Sequence, residues 1–247
     1  MNIHTVFDLI AWASGAVIGY SVRHRYLAHG FQSFRLSQHP VYIIAVALCA
    51  GAGALLVGGG NMALAGMLPL GHSVAGAIAG GIIGAEGYKF VRGIKGSTGL
   101  IFVAPLSAGI AIGRWGCFFA GLPDYTYGTP TALPWGVDFG DGIPRHPVQL
   151  YESFAMLGFL AWFLLTLERT RRSESHSLML RGSFYALVGF YAVQRFVWEF
   201  LKPYPRVLGP FDMFHFLMLG LFAYSLWMLW GEQRRHEQAS RAQALSA

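Results

Sequence analysis

Charge is what this chain has least of: Asp, Glu, Lys and Arg make up 12 % of its 247 residues, while hydrophobic residues make up 54 %. A composition so poor in charge excludes an ordinary soluble domain and indicates a polytopic membrane protein. Cysteine is nearly absent too. Cys49 and Cys117 both fall inside apolar stretches, which excludes a disulfide framework. Met1 to Val6 carries neither a basic stretch nor a small-residue cleavage site, so the first apolar segment is expected to stay in place as a helix. Metal-ligand spacings, phosphate-binding glycine loops and nucleotide motifs are missing, and no metal or other cofactor is expected. The net charge is +6, but the basic residues sit between apolar runs rather than in one patch, which argues against nucleic acid as a partner.

What the chain has instead is a series of apolar segments, each near the length needed to span a bilayer. They run from Val6 to Val22, Val41 to Val57, Met62 to Gly84, Gly99 to Ala120, Pro147 to Leu167, Gly182 to Leu201 and Phe211 to Trp230. The expected fold class is therefore all-α, a bundle of about seven transmembrane helices. It forms one domain over residues 1–247, with an outer cap loop at about 121–146. Alternate loops collect the basic residues: Arg23, Arg25 and Arg35, then Lys89, Arg92 and Lys95, then Arg169, Arg171, Arg172 and Arg181, then Arg234, Arg235 and Arg241. By the positive-inside rule these loops are cytoplasmic, which places the N-terminus outside and the C-terminus inside.

Arg114 breaks the fourth segment, near the end of a run of about twenty otherwise apolar residues from Thr98 to Ala120. An arginine at membrane depth costs at least ~2.5–3.5 kcal/mol on insertion scales, so such residues face a protein interior or a wet cavity. Gly109, Gly113 and Gly116 beside it let a neighbouring helix or a lipid approach the backbone. In the third segment Gly76, Gly80 and Gly84 recur every four residues and give one helix face of nearly bare backbone, suited to close packing. Glu86 and Lys89, three apart at its end, read as a structural pair.

Residues 121–146 are rich in turn formers and carry Tyr125, Tyr127, Trp135 and Phe139, whose rings suit the headgroup layer. The fifth helix opens Arg145-His146-Pro147-Val148-Gln149-Leu150-Tyr151-Glu152, with Gln149 and Glu152 on one face about a turn inside the interface. In the sixth helix Tyr191, Arg195 and Glu199 recur at i, i+4 and i+8, and Lys202 continues the stripe. A charged stripe cannot face lipid, so it is expected to line the bundle interior opposite Arg114 and Glu152. The cations at that depth outnumber Glu152 and Glu199, and the surplus calls for an external anion. A phospholipid phosphate is the abundant one there. The alternative is an internal salt-bridge network that only holds helices together.

Four strings, Gly113-Arg114-Trp115-Gly116, Gly128-Thr129-Pro130-Thr131, Arg145 to Glu152 in the form R-H-P-x-Q-L-Y-E, and Tyr191 to Glu199 in the form Y-x-x-x-R-x-x-x-E, together resemble the prolipoprotein diacylglyceryl transferases. The resemblance runs from about Thr98 to the last helix. It implies a bacterial inner-membrane enzyme that moves the diacylglyceryl group of phosphatidylglycerol onto the thiol of a lipobox cysteine in a lipoprotein precursor, releasing glycerol phosphate. It also implies a site containing Arg114, Arg195, Glu199, Tyr191 and Gly128, with Arg145 and Glu152 near it. On that reading Arg114 and Arg195 hold the phosphate and stabilise the charge that builds on the leaving oxygen. Glu199 orients Arg195, Tyr191 donates a hydrogen bond, and Glu152 or His146 carries protons. Gly113, Gly116, Cys117 and Tyr151 complete the expected substrate-binding set.

The chain departs from the family's pattern at three places. In the signature G-R-x-G-N-F-x-N-G-E, Cys117 and Ala120 stand for the two asparagines and Leu122 falls near the glutamate. The counterpart of the family's H-G-G motif reads Ala79-Gly80-Gly81, without the histidine, and Phe7 takes the place of an early tyrosine. These departures favour a second reading, a non-catalytic phospholipid-binding or lipid-handling membrane protein, or a transferase with a different acceptor. The retained stripe and the Gly128 loop favour the enzyme. A further variant makes Cys117 an internal nucleophile or the acceptor itself.

Overall fold

In lipid, every backbone polar group has to be satisfied within the protein, and helices do this segment by segment. The computed structural model, which describes residues 3–27, 39–68, 71–170 and 176–246, answers that demand with seven long helices. These are α1 (Ile3–Val22), α2 (Pro40–Leu64), α3 (Val74–Arg92), α4 (Leu100–Ala120), α5 (Val148–Thr170), α6 (His176–Glu199) and α7 (Met213–Ser246). The protein is an all-α polytopic membrane protein. Five helical stretches, within α1 with its extension, α2, α4, α5 and α7, are long and apolar enough to cross a membrane. At about 1.5 Å per residue, the 19 residues of α3 and 24 of α6 also approach or exceed the ~30 Å hydrocarbon thickness. Their glycine and charge content keeps them more polar. Of the basic residues counted above, Arg35, Arg171 and Arg172 lie outside the described residues.

Several helices run past the apolar segments, α2 to Leu64, α6 from His176 and α7 to Ser246, and the third helix starts later than the sequence suggests. The third segment was expected to start at Met62, but Met62 to Leu64 complete α2, and α3 begins only at Val74. Apolar content alone could not show the break. Gly66 takes a left-handed conformation (φ 71°), and the Ser73 hydroxyl accepts a hydrogen bond from Gly76 N at 3.2 Å, capping α3. The glycine row behaves as expected. A Cβ on Gly80 would stand 2.0 Å from the carbonyl oxygen of Cys49 on α2, so only glycine permits this approach of the two backbones. At the far end of α3, Lys89 Nζ meets both oxygens of Glu86 at 2.8 and 2.9 Å, and Tyr224 donates to the same carboxylate. This is the structural pair foreseen.

α2 packs on α3, α1 on α4, α6 on α7, and α4 on both α5 and α6. The core lies between α4, α5, α6 and α7, where Val103, Met156, Phe163 and Leu180 are buried. Large apolar side chains point outward on the periphery: Trp12 is 81 % exposed, Leu56 76 % and Trp227 72 %. In water such a surface would cost roughly 25 cal/mol per Å², whereas lipid removes that cost.

Residues 121–146 form a folded cap. A short helical turn (Leu122–Asp124) leads to a two-stranded ladder, β1 (Val137–Asp138) against β2 (Pro144–Arg145), with Val137 opposite Arg145. Asp138 Oδ1 accepts from the backbone N–H groups of Gly140, Asp141 and Gly142, which closes the turn. The cap is tied to the end of α6, because Thr129 N donates to Leu201 O and Tyr125 Oη to Pro203 O. A second ladder, β3 (Arg206–Leu208) with β4 (Phe211–Asp212), joins α6 to α7 at the same end.

Candidate functional site

The site grows from three helix ends that meet beneath the cap: the last turns of α4 and α6 and the first turn of α5. Helical spacing puts Arg195 and Glu199 one turn apart on α6, and their side chains meet, Nε to Oε2, at 2.7 Å. Glu152, one turn into α5, faces them. Its Oε1 lies 2.5 Å from Arg195 Nη1 and 2.8 Å from Lys202 Nζ, and its Oε2 lies 2.5 Å from Arg114 Nε on α4. All five side chains are buried. Three cations thus surround two carboxylates, leaving one positive charge uncompensated in a nearly water-free place.

Buried charges need both pairing and hydrogen bonds. Here the pairing is dense but the hydrogen bonding is incomplete. Arg114 Nε, Lys202 Nζ and both Glu199 oxygens have no aligned hydrogen-bond partner among the described residues. The same holds for Tyr191 Oη, for both side-chain polar atoms of Gln149 and Gln194, and for the indole N–H of Trp198. The charged atoms among these still have their ion-pair partners, whereas Tyr191 Oη, the Gln149 and Gln194 amides and the Trp198 indole N–H are buried polar groups of the kind that a polar ligand can meet. Lys202, in the turn beyond α6, has its pKa pushed down to about 8, first by burial and then by the neighbouring Arg195 charge. Near neutrality it remains a cation.

The expected residues divide into two groups. Arg114, Glu152, Arg195, Glu199 and Tyr191 come together, and Cys117 joins their edge with its sulfur 3.9 Å from Arg114 Nη1. Arg145, His146 and Tyr151 instead build the cap wall. Arg145 forks onto Asp141, Nη1 to Oδ1 at 2.6 Å and Nη2 to Oδ2 at 2.7 Å, and lies over the Tyr127 ring. That fork holds the Asp141 carboxyl below the usual carboxylate range. His146 Nδ1 is 3.3 Å from Tyr151 Oη, which also accepts from Trp135 Nε1 at 2.8 Å. Gly128 is required by close approach, since a Cβ there would stand 2.4 Å from His146 O. Gly116 packs against Phe7, whereas the space beside Gly113 is open among the described residues.

Some contacts of this region depend on features that the sequence shows only in part. Lys202 was visible as part of the α6 stripe, but its direct contact with Glu152 depends on the turn after α6. Asp212 and His215, both buried, cap α7: Asp212 Oδ1 accepts from the N–H groups of Phe214 and His215 and lies 2.9 Å from His215 Nδ1. An Asp preceding an apolar run is a capping signal that could have found the first of them. On the other side of Arg114, His4 at the start of α1 reaches Asp124 in the cap, Nε2 to Oδ1 at 2.7 Å, next to Cys117. No local spacing relates these three, which is why the sequence reading anticipated no such cluster.

A family model described as prolipoprotein diacylglyceryl transferase matches residues 1–231. Among curated relatives, the phosphatidylglycerol-prolipoprotein diacylglyceryl transferase of Geobacter sulfurreducens is 36 % identical over 126 residues, covering 49 % of this chain and 45 % of the relative. The protein of that name from Gloeobacter violaceus is 35 % identical over 182 residues, or 68 % of this chain and 64 % of the relative. The one from Nitratidesulfovibrio vulgaris (strain DP4) is 34 % identical over 163 residues, 61 % and 58 %. In each case the match spans less than two thirds of the relative's own length.

Proposed function

The chain belongs to the prolipoprotein diacylglyceryl transferase family, and from that premise we propose that it is a membrane transferase taking the diacylglyceryl group from phosphatidylglycerol. The acceptor is a cysteine thiol of a lipobox-bearing lipoprotein precursor. The observation that carries this reading is the buried cluster of Arg114, Arg195 and Lys202 around Glu152 and Glu199, with one cation in excess and its polar neighbours unmet. A phosphodiester monoanion supplies the missing charge and the missing acceptors together.

The chemistry is an alkyl transfer. The acceptor sulfur, as thiolate, attacks the glycerol carbon that bears the phosphate. A carbon–sulfur bond forms, the carbon–oxygen bond breaks, and the electron pair leaves on the oxygen of glycerol phosphate. Arg114 and Arg195 stand where that negative charge develops, and donors fixed in advance in a dry site are effective there. Glu152 holds the two guanidiniums in place, and Glu199 orients Arg195. The proposed placement is the bacterial inner membrane, as one domain with the N-terminus and the cap outside and the C-terminus cytoplasmic. The basic residues at the opposite end support this, with Arg25 and Tyr26 meeting Glu168 there.

The second reading, lipid handling without transfer, draws on Ala79 and Ala120 standing where the family pattern has polar residues. Incubation of purified protein with phosphatidylglycerol and a synthetic lipobox peptide separates the two. A gain of one diacylglyceryl mass on the peptide cysteine supports the transferase. Bound lipid with an unmodified peptide contradicts it.

A further inference from the structure

Beside the phosphate cluster lies a second constellation that the reaction above does not use. His4 comes from the first turn of α1, Cys117 from the last turn of α4, and Asp124 from the cap. One ligand atom from each, an imidazole nitrogen, the sulfur and a carboxylate oxygen, lie within 4.8 Å of one another. Asp124 accepts on its other oxygen from the Thr126 hydroxyl, and Asp8 Oδ2 stands 3.6 Å from His4 Nδ1, while Nε2 faces Asp124. A carboxylate near the second ring nitrogen is the kind of group that orients metal-bound histidines, although at 3.6 Å Asp8 is beyond hydrogen-bond reach of it.

We propose that His4, Cys117 and Asp124 form a three-ligand site for a divalent ion of the zinc class, with the fourth position left for the thiolate of the acceptor. The inference rests on the transferase reading only for the identity of that fourth ligand. Sulfur, nitrogen and oxygen donors in one set suit zinc, and three protein ligands with one open position are the pattern of reactive rather than structural zinc. A tetrahedral ion with bonds of about 2.0–2.3 Å sets its ligand atoms roughly 3.3–3.8 Å apart. The three ligand atoms lie within 4.8 Å of one another, and the 2.7 Å hydrogen bond between His4 and Asp124 would have to open by roughly 0.6 Å to receive the ion.

The position of the site suits its use. Cys117 Sγ is 3.9 Å from Arg114 Nη1, so a sulfur held on the ion would lie beside the guanidinium that receives the lipid phosphate. Coordination removes the thiol proton outright, releasing it to solvent. The sulfur then attacks the glycerol carbon, the phosphate leaves with the bonding electrons, and the neutral thioether, a weaker ligand than the thiolate, departs. This supplies the deprotonation that a side-chain base would otherwise provide, in a chain where Ala79 stands at the family's histidine position.

The test uses the full-length detergent-purified protein, stripped with chelator and titrated with Co2+. Wild type is expected to take up one ion per chain, with a near-ultraviolet thiolate-to-cobalt absorption band. Cys117→Ala is expected to lose the band, and Asp124→Asn to bind at least as much more weakly as the ~10–100-fold that loss of an outer partner costs. Should Cys117→Ala not fold, Cys117→Asp is expected to bind cobalt without the band. Adding a lipobox peptide to the wild-type cobalt form should strengthen the band through a second sulfur. No band in wild type, or a band surviving in Cys117→Ala, overturns the site, and an unchanged band on adding peptide overturns the open position. Peptide alkylation by the metal-free protein would overturn the ion's role while leaving the transferase reading intact. Cobalt held at Cys117 with a peptide sulfur bound, but without alkylation, would leave the site standing and refute the transferase.

Discussion

Glu152 on α5 and Arg195 on α6 meet at 2.5 Å, Oε1 to Nη1, with both side chains buried. Arg114 and Lys202 converge on the same carboxylate, so this one group from α5 holds together cations contributed by α4, α6 and the turn beyond it. Its position therefore ties three separate chain segments together at one point.

Removing that carboxylate's charge leaves three buried cations facing Glu199 alone. Breaking a buried ion pair from one side costs about 3–5 kcal/mol. Glu152→Gln is expected to lower the unfolding free energy in detergent by an amount of that order, seen as a clearly lower unfolding midpoint, and to abolish transfer. An unchanged midpoint would show that the cluster does not organise the helix ends.

Lys202 makes the anion site sensitive to pH. Below about 8 it is charged, and the cluster carries one excess positive charge; above that value the proton is lost and the excess disappears. Phosphatidylglycerol binding is expected to weaken as pH rises through about 8, and binding by Lys202→Met to be weak and flat over the same range. Lipid titrations at fixed ionic strength check this, and a pH-independent wild type would contradict it.

Two glycines to alanine should behave oppositely. At Gly128 a methyl would stand 2.4 Å from His146 O, so the substitution is expected to displace the cap from α5 and to cost most of the transfer rate. At Gly113 the space is open, and the helix gains the ~0.5–1 kcal/mol by which alanine is preferred in a helix interior. Thermal melts and transfer rates of the two variants give the comparison, and equal effects would argue against the packing described.

The Asp141–Arg145 fork fastens the cap turn, and Asp141 titrates below its usual range because Arg145 hydrogen-bonds its charged form. A lowered folded value means that the contribution is complete above the unfolded value and is lost as pH falls through the folded one. Hydrogen exchange over Val137 to Arg145 is expected to be slow at neutral pH and to quicken below the normal carboxylate range. In Asp141→Ala it should be fast at both. Slow exchange in that variant would remove the fork from the account.

Much of this arrangement is visible in the sequence because membranes penalise charge so heavily. Arg114 announces itself by interrupting an apolar run, and the i, i+4 spacing of Tyr191, Arg195 and Glu199 fixes one face that cannot meet lipid. Glu152 follows from its place one turn into α5. What stays hidden depends on tertiary geometry or on backbone detail. The start of α3 is set by the conformation of Gly66 and the cap at Ser73, which hydropathy does not register. His4 and Asp124, 120 residues apart, meet only because α1 packs along α4 and the cap folds back over both. Arg145, expected near the site, pairs with Asp141 within the cap, a short-range role that no apolar periodicity records.

The measurement that bears most directly on the central claim is retention of phosphatidylglycerol by the purified protein, read by native mass spectrometry for wild type and Arg114→Gln, with phosphatidylcholine, whose phosphate charge is balanced by its own ammonium group, as the net-neutral comparison. One anionic lipid per chain is expected on wild type, in preference to phosphatidylcholine. Its affinity is expected to fall at least tenfold in Arg114→Gln, as loss of a charged hydrogen bond of ~1.5–3 kcal/mol implies. Equal retention by the two proteins, or no preference for the anionic lipid, would contradict the assignment of the buried cluster as the phosphate site.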